Sequence, residues 1–266
     1  HDDTRGVVAW LQAQATPQDV VLVDQRYPFG VYWQRWNNDA YGLPPAEPAD
    51  QPPAQYLFVD INRLDERLTE LAGDARVVYW VTWFESDMDP RAAVPALLDT
   101  HGERLGEQGF RGYMVRWWRL QRHTQFHLAH EFQPLNVRFE PGITLLEGDW
   151  QGRLTPATAG RSALVTLRWK ADGPTSRPLK VSLRLRDGQG TILAQDDRVL
   201  LSDRHLRTTS WQAGETALNV YSLSLPPEPG TYSLTLVLYD ETTLEPVGLL
   251  DGSGVEPRVG TLRVEP

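Results

Sequence analysis

The segment PGTYSLTLVLYD, residues 229–240, predicts a strand of an all-β domain. Pro229 and Gly230 signal a turn, and apolar or aromatic residues then occupy every second position: Tyr232, Leu234, Leu236 and Leu238. Because successive side chains of a strand point to opposite faces, this alternation predicts one buried face and one polar face. We interpret the segment as a strand of the scaffold rather than as a binding surface.

The second half of the sequence keeps this alternating pattern. The pattern continues through ALVTLRWKA (163–171), LKVSLRLRDGQGTILAQDD (179–197) and LNVYSLSLP (218–226). The Asp-Gly pair at 187–188, inside the second of these segments, predicts a hairpin turn. Several short strands separated by turn signals are typical of a β-sandwich. We therefore predict an all-β sandwich, immunoglobulin-like or jelly-roll-like, over residues 125–266.

The first half instead alternates between helix and strand signals. Apolar runs at 20–23, 56–59 and 77–83 predict strands, and the almost continuous run at 77–83 is typical of a strand that is covered on both faces. Strands separated by helices are typical of a mostly parallel sheet. Residues 1–124 are therefore predicted to form a Rossmann-like, three-layer α/β domain.

Two helices of this first domain have recognisable end signals. Leucines at helical spacing between Asn62 and Gly73 predict a helix with Asn62 as its N-cap and Gly73 at its end. A second helix is predicted from Pro90 to Gln108, with Asp89 as its N-cap and Pro90 at its first position.

Composition excludes several classes of protein. The 266 residues carry a formal net charge of −9, which argues against nucleic-acid binding because that function requires a basic surface. No apolar run reaches the roughly 18 residues of a transmembrane helix. Cysteine is absent, so disulfides and thiolate chemistry are excluded. The sequence starts HDDTRG, without Met or a signal peptide, and we expect it to be a piece of a longer protein.

The sequence contains no recognisable catalytic or cofactor motif. Nucleophile-elbow, phosphate-loop and dinucleotide-binding patterns are missing, so we predict no cofactor and assign no catalytic residue. His123, His127 and His130 would share one face of a helix, as metal ligands can. The alternation of Phe126, Leu128 and His130 favours a polar strand between the domains instead, so no metal site is predicted.

Carboxylates are concentrated in FESDMDP, where Glu85, Asp87 and Asp89 precede the second predicted helix. A glycosidase requires two carboxylates that flank a sugar cleft, and proximity in one loop does not establish that geometry. We favour helix capping for Asp89.

The aromatic segment DQRYPFGVYWQRWNNDAYG, residues 24–42, is the best candidate for a binding surface. It follows the first strand, and open α/β sheets bind ligands beyond the carboxyl ends of their strands. Its rings could pack over the sheet, contact a sugar, or lie at a membrane interface. The candidate ligand-binding residues are Asp24, Arg26, Tyr27, Tyr32, Trp33 and Trp36.

The order of these elements resembles the soluble C-terminal region of bacterial membrane glycosyltransferases of the GT-C class, in the protein-mannosyltransferase-like family 39. The similarity spans most of the chain, and its strongest motifs are LRWKA, WQAGE and PGTYSLTLVLYD. The residues that match the family pattern are scaffold positions: Trp169, Trp211, Glu215, Gly230, Tyr232 and Tyr239.

The resemblance implies an extracytoplasmic accessory region without a catalytic centre. In that family, catalysis uses acidic residues in loops of a membrane domain, and no such domain is present in this sequence. The implied partners are the membrane domain of the same polypeptide and a glycan or a lipid-linked sugar, at the outer face of the cell membrane. The full protein would transfer a sugar from a polyprenyl-phosphate donor to an acceptor. The alternatives are a free carbohydrate-binding module and a glycoside hydrolase with its site at the domain junction.

Overall fold

The protein is mostly β, with 43% of residues in strands and 15% in helices. The computed structural model describes residues 2–33, 36–37, 52–84, 86–140, 142–150, 153–154 and 162–265. The chain divides into two compact units, unit 1 comprising residues 1–90 and 97–127, and unit 2 comprising residues 91–96 and 128–266. None of the described helices has the length and apolar character needed to cross a membrane.

Unit 1 contains a six-stranded sheet. In chain order its strands are β1 (Val20–Val23), β2 (Trp36–Asn37), β3 (Ala54–Tyr56), β4 (Val77–Trp83), β5 (Glu103–Phe110) and β6 (Tyr113–Arg119). They are arranged β2-β3-β1-β4-β6-β5. The first four in this order pair in parallel, and β6 pairs antiparallel with both β4 and β5. β1 is buried at all four positions, in agreement with its continuous apolar sequence.

Four helices are described in the first half of the chain: α1 (Thr4–Gln14), α2 (Phe29–Tyr32), α3 (Leu64–Ala72) and α4 (Ala93–His101). The Asp3 side chain caps α1 by accepting from the amide of Gly6 at 2.9 Å. Val7, Val8 and Leu11 bury one face of α1 in the core of unit 1.

The prediction of one helix from Pro90 to Gln108 is wrong. α4 starts three residues later, at Ala93, so Asp89 and Pro90 do not begin it. The helix ends at His101, and the amide of the following Gly102 donates to Leu98 O at 2.9 Å. A Cβ at Gly102 would approach Arg119 O to 2.9 Å, which leaves no space for a larger residue. Beyond it the chain forms β5 and turns back through Gly112, whose φ is +84°.

The predicted cap of α3 is also wrong, whereas its end is correct. Arg63 occupies the cap position without a side-chain hydrogen bond, and Gly73 follows the last residue of the helix. The amide of Asn62 donates to Asp60 Oδ1 at 3.1 Å, so Asp60 organises the turn before α3.

Unit 2 contains two packed sheets. Its strands are β7 (Gln133–Phe139), β8 (Ile143–Trp150), β9 (Arg153–Leu154), β10 (Ser162–Ala171), β11 (Leu179–Arg186), β12 (Ile192–Val199), β13 (Thr216–Ser224), β14 (Gly230–Asp240) and β15 (Arg258–Val264). One sheet has the order β13-β10-β8-β7 and the other β12-β11-β14-β15-β9. A single hydrophobic cluster joins residues from both sheets, so the described part of this unit is sandwich-like.

The opening segment forms β14, in the interior of the five-stranded sheet. Tyr232, Leu234, Leu236 and Leu238 all belong to the hydrophobic cluster, as the alternation predicts. The hairpin turn between β11 and β12 is confirmed too. The Asp187 carboxylate accepts from the amides of Gln189 and Thr191, both at 2.8 Å, and Gly190 has φ +84°.

Gly260 of β15 provides a test of how the two sheets pack. A Cβ at this position would overlap the indole of Trp150, whose Nε1 donates to Thr261 O at 3.0 Å. We expect Gly260→Ala to lower the free energy of unfolding by about 1–3 kcal/mol, as overpacking does. Urea denaturation measures this loss. Gly188→Ala is the control, because nothing lies within 4 Å of a Cβ at Gly188.

Candidate functional site

The parallel strands of unit 1 end together at one edge of the sheet. Val23, at the end of β1, lies opposite Tyr56 of β3 and Val81 of β4. After β1 the chain continues to β2 and β3, which lie on one side of β1 in the sheet. After β4 it continues to β5 and β6, which lie on the opposite side, next to β4. β1 and β4 therefore flank a switch point of the sheet, the place where open α/β sheets bind ligands. We call this region, formed by residues 24–27, 56–58, 83–84 and 86–89, the carboxyl edge.

Asp24 directly follows β1 and joins the two central strands. Its amide donates to Val81 O at 3.1 Å, and both of its carboxylate oxygens accept from the amide of Trp83 at 3.1 Å. Its residue surface is buried. Burial raises the pKa of Asp24 to about 6, although hydrogen bonds from Ser86 and Trp83 oppose the rise. A second carboxylate, Asp89, adds to the increase.

Arg26 and Tyr56 contact each other near this carboxylate. The Arg26 guanidinium lies over the Tyr56 ring, 4.5 Å from its centroid, in a cation–π contact. The Tyr56 hydroxyl donates to Met88 Sδ at 3.8 Å. Burial raises the pKa of Tyr56, and the charge of Arg26 opposes that rise. The hydroxyl therefore stays neutral and remains a hydrogen-bond donor at neutral pH.

Three aromatic rings project into solvent from the carboxyl edge. Tyr27 is 77% exposed, Phe58 is 63% exposed and Phe84 is 65% exposed. They follow β1, β3 and β4 respectively, so one comes from each of three adjacent strands. Because the three rings lie in segments that follow adjacent strands ending at the same edge, we treat them as a candidate interaction surface.

The structure places the six candidate residues in different environments. Asp24, Arg26 and Tyr27 lie together at the carboxyl edge. Tyr32, on α2, is partly exposed beneath the Arg5 guanidinium, which lies 5.3 Å from its ring centroid. Trp36 is described only by its backbone, in β2, and its side chain lies outside the described residues.

The expectation that Trp33 contacts a ligand is corrected. Its side chain is 1% exposed and stacks on Phe29, with ring centroids 5.5 Å apart. Its Nε1 donates to Pro52 O at 3.2 Å. Both rings belong to the hydrophobic core of unit 1. Trp33 therefore packs inside this unit and does not present its side chain to a ligand at the carboxyl edge.

Phe58 and Phe84 were missed by the sequence analysis. Residues 56–59 were predicted as one strand, but β3 ends at Tyr56, so Phe58 lies beyond the paired residues. Phe84 directly follows β4, in the carboxylate segment interpreted as a helix cap. Of that segment, Glu85 lies outside the described residues. The available signal was that Phe84 directly follows the predicted strand 77–83, whereas Phe58 lies inside the predicted strand 56–59 and gave no such signal.

The histidine segment is neither helix nor strand. Residues 120–132 have no regular secondary structure, which corrects the predicted polar strand. Phe126 and Leu128 are buried as the alternation suggests. His123 Nδ1 lies 2.7 Å from Asp74 Oδ1 at the surface, whereas the amide of His130 donates to Asp149 Oδ2 at 2.5 Å. Within the described ranges, no three potential metal ligands come together.

The described residues thus define a mostly β protein in which three adjacent parallel strands of unit 1 are followed by a buried carboxylate and by exposed aromatic rings. No family model matches the chain, and no curated protein matches it. Among solved structures it is similar to the C-terminal domain of wzt, with 13% identity and a TM-score of 0.35, over 50% of this chain and 83% of that one. It is also similar to a beta-glucuronidase of Bacteroides uniformis, with 12% identity and a TM-score of 0.29, over 55% of this chain and 19% of the enzyme. At TM-scores this low, neither likeness identifies a family or an activity.

Proposed function

We propose that the chain is a non-catalytic, extracytoplasmic accessory region of a membrane glycosyltransferase, and that its carboxyl edge contacts the acceptor glycan. The full protein would transfer a sugar from a polyprenyl-phosphate donor, with the membrane domain of the same polypeptide as the partner of this region. In this proposal unit 1 is a Rossmann-like domain, a view supported by its parallel order β2-β3-β1-β4 and by helices between strands.

The residues that carry the resemblance to the glycosyltransferase family lie at structural positions. Trp169, Trp211 and Tyr232 all belong to the hydrophobic core of unit 2. Glu215 forms an ion pair with Arg204, in which Arg204 Nη2 lies 2.5 Å from Glu215 Oε2. Each motif therefore supplies structural residues, as expected for a scaffold.

The observation that carries the glycan proposal is the combination of rings and polar groups at the carboxyl edge. Flat rings pack against the C–H faces of sugars, as Tyr27, Phe58 and Phe84 are exposed to do. Asp24 can accept hydrogen bonds from hydroxyl groups, and Arg26 can donate to them. Carboxylates at this edge would repel the anionic headgroups of a membrane, so a neutral glycan suits the site better.

A binding experiment tests this proposal. We expect Tyr27→Ala and Phe84→Ser to weaken binding of a neutral oligosaccharide by about tenfold or more, because exposed aromatic anchors contribute most at such sites. Titration calorimetry against gluco-, manno- and galacto-configured oligosaccharides measures the change. Ile192→Ala, at another exposed apolar position in unit 2, is the control and should bind normally. Equal affinity of all variants would exclude the carboxyl edge.

The genomic context separates an accessory region from a free carbohydrate-binding module. We expect the gene to encode several transmembrane helices before His1. A start codon or a signal peptide immediately before His1 would refute the accessory role, even if glycan binding were found.

A further inference from the structure

The outer face of the five-stranded sheet of unit 2 contains a groove of about 340 Å³. On β11, Val181, Leu183 and Leu185 point into the core, so Ser182 and Arg184 face the groove. β12 forms one wall of the groove. The segment between β14 and β15 forms the other wall, with Leu244 and Glu256 among its lining residues.

Glu256 fixes the second wall to the sheet. Its Oε1 accepts from Arg186 Nε at 2.8 Å and from Thr235 Oγ1 at 2.7 Å, and its Oε2 accepts from Arg184 Nη1 at 3.0 Å. Burial raises the pKa of Glu256, but the donors and the two guanidinium charges outweigh burial and hold the pKa below its usual value. The carboxylate is therefore ionised at neutral pH, and Arg184 is held in place, since its Nε also donates to Ser182 Oγ at 3.1 Å.

The wall of the groove formed by β12 presents polar groups to solvent. Gln195 Nε2 donates to Asp197 Oδ2 at 2.7 Å, and both residues are exposed. Tyr239 is half-buried at the floor; burial raises the pKa of its hydroxyl and the charge of Asp197 adds to the rise. Leu244 is 71% exposed and contributes an apolar surface at the rim.

We propose that this groove binds a short segment of a neutral hexose glycan. Its planar polar side chains hold donors and acceptors in fixed positions, as the recognition of sugar hydroxyls requires. The charges of Arg184 in the groove and of Arg186, which pairs with Glu256 from beside it, balance those of Asp197 and Glu256, so neither an anion nor a cation is favoured. Tyr239 and Leu244 offer apolar surfaces for C–H groups.

The size of the groove limits the length of the bound segment. A volume of about 340 Å³ lies at the lower end of the range for small-molecule sites, about 300–1,000 Å³. One or two sugar units would occupy it. The site is distinct from the carboxyl edge and goes beyond the proposed function, because it gives unit 2 a ligand of its own.

The test uses the full chain and the disaccharides of glucose, mannose and galactose as probes. Saturation-transfer NMR and calorimetry up to about 10 mM ligand detect the weak affinity expected of a small site. We expect saturable binding of at least one disaccharide. Asp197→Asn and Gln195→Ala should weaken that binding by about tenfold. Both positions are exposed, so these variants should fold normally. Tyr239→Ala is a third variant, and its melting temperature is checked first.

Thr231→Ala is the matched control, an exposed residue of β14 outside the groove, and it should leave the affinity unchanged. Absence of saturable binding by every probe would overturn the proposal. Binding that Tyr27→Ala removes and Asp197→Asn leaves intact would also overturn it, while supporting the carboxyl edge as the glycan site. Binding lost in the groove variants alone would support the groove and count against the carboxyl edge.

Discussion

Replacing Trp211 with alanine is expected to lower the free energy of unfolding of unit 2 by about 3–5 kcal/mol. The Trp211 side chain is fully buried in the core that joins the two sheets. Its Nε1 donates to Leu206 O at 2.9 Å, so the substitution removes a hydrogen bond as well as a large apolar volume. The cavity cannot close easily because strands of both sheets surround it.

The position of Trp211 makes the loss of unfolding free energy larger than a cavity alone would cause. Trp211 directly follows a 3₁₀ turn, Thr208–Ser210, which is hydrogen-bonded to the chain at the start of β11. The Thr208 hydroxyl donates to Arg177 O at 2.6 Å and accepts from the amide of Leu179 at 2.9 Å. The indole holds this turn against the core, so its loss also loosens the start of β11.

Urea denaturation with hydrogen exchange over β10 and β13 measures the effect. Trp211→Phe keeps much of the ring and loses the hydrogen bond, so it should cost less than half as much. Trp10→Ala, in unit 1, should leave exchange in β10 and β13 unchanged. A loss below about 1 kcal/mol for Trp211→Ala would contradict the view that this motif tryptophan is a structural residue.

Elements that bury a continuous or strictly alternating pattern could be predicted from the sequence. β1 and β4 have the bounds that their apolar runs indicate, because a strand covered on both faces must be apolar throughout. β14 alternates because one of its faces forms the core of the sandwich. The turn at Asp187 could be found because its residue types satisfy the backbone locally.

Elements at the periphery could not be predicted. β5 is an edge strand with mostly exposed residues, so it has no alternation to distinguish it from the end of a helix. Only its pairing with β6, a tertiary contact, makes it a strand. Residues 120–132 alternate in sequence as a strand does, but their backbone has no regular secondary structure. The side chains of Phe126 and Leu128 are nevertheless buried.

The candidate site also contains residues whose position could be predicted from the sequence and residues whose position could not. Asp24 could be predicted because a polar residue directly after a buried strand must lie at its carboxyl end. Whether an aromatic ring packs inside or projects outside depends on tertiary contacts that the sequence does not display. Trp33 is therefore buried on Phe29, and Phe58 is exposed, against the sequence interpretation of both.

Asp24→Asn is expected to stabilise the protein at neutral pH while weakening glycan binding. The folded state raises the pKa of this carboxyl from 3.8 to about 6. At 1.36 kcal/mol per pKa unit, the shift corresponds to about 3 kcal/mol. Because the folded protein holds the proton more tightly, the stabilising contribution is full below pH 3.8 and is lost as the pH rises through about 6.

The wild-type protein should therefore lose stability relative to Asp24→Asn as the pH increases. About 2 kcal/mol of the difference should develop between about pH 4 and about pH 7, measured as the free energy of unfolding of both proteins in urea. Asparagine keeps an acceptor oxygen for the Trp83 amide and removes the charge, so other titrating groups cancel in the comparison. Glu103→Gln, which removes an exposed carboxylate elsewhere in unit 1, serves as the control.

A carboxylate that costs stability at neutral pH is typical of a functional position, since binding sites retain groups that folding alone would disfavour. If Asp24 accepts hydrogen bonds from a glycan, Asp24→Asn should lose affinity by about tenfold or more although the protein becomes more stable. If Asp24 has only a structural role, Asp24→Asn should change the free energy of unfolding and leave the affinity for the glycan unchanged. A difference between the two proteins that stays constant with pH would show that the Asp24 carboxyl keeps its ordinary pKa, and the argument from its burial would fail.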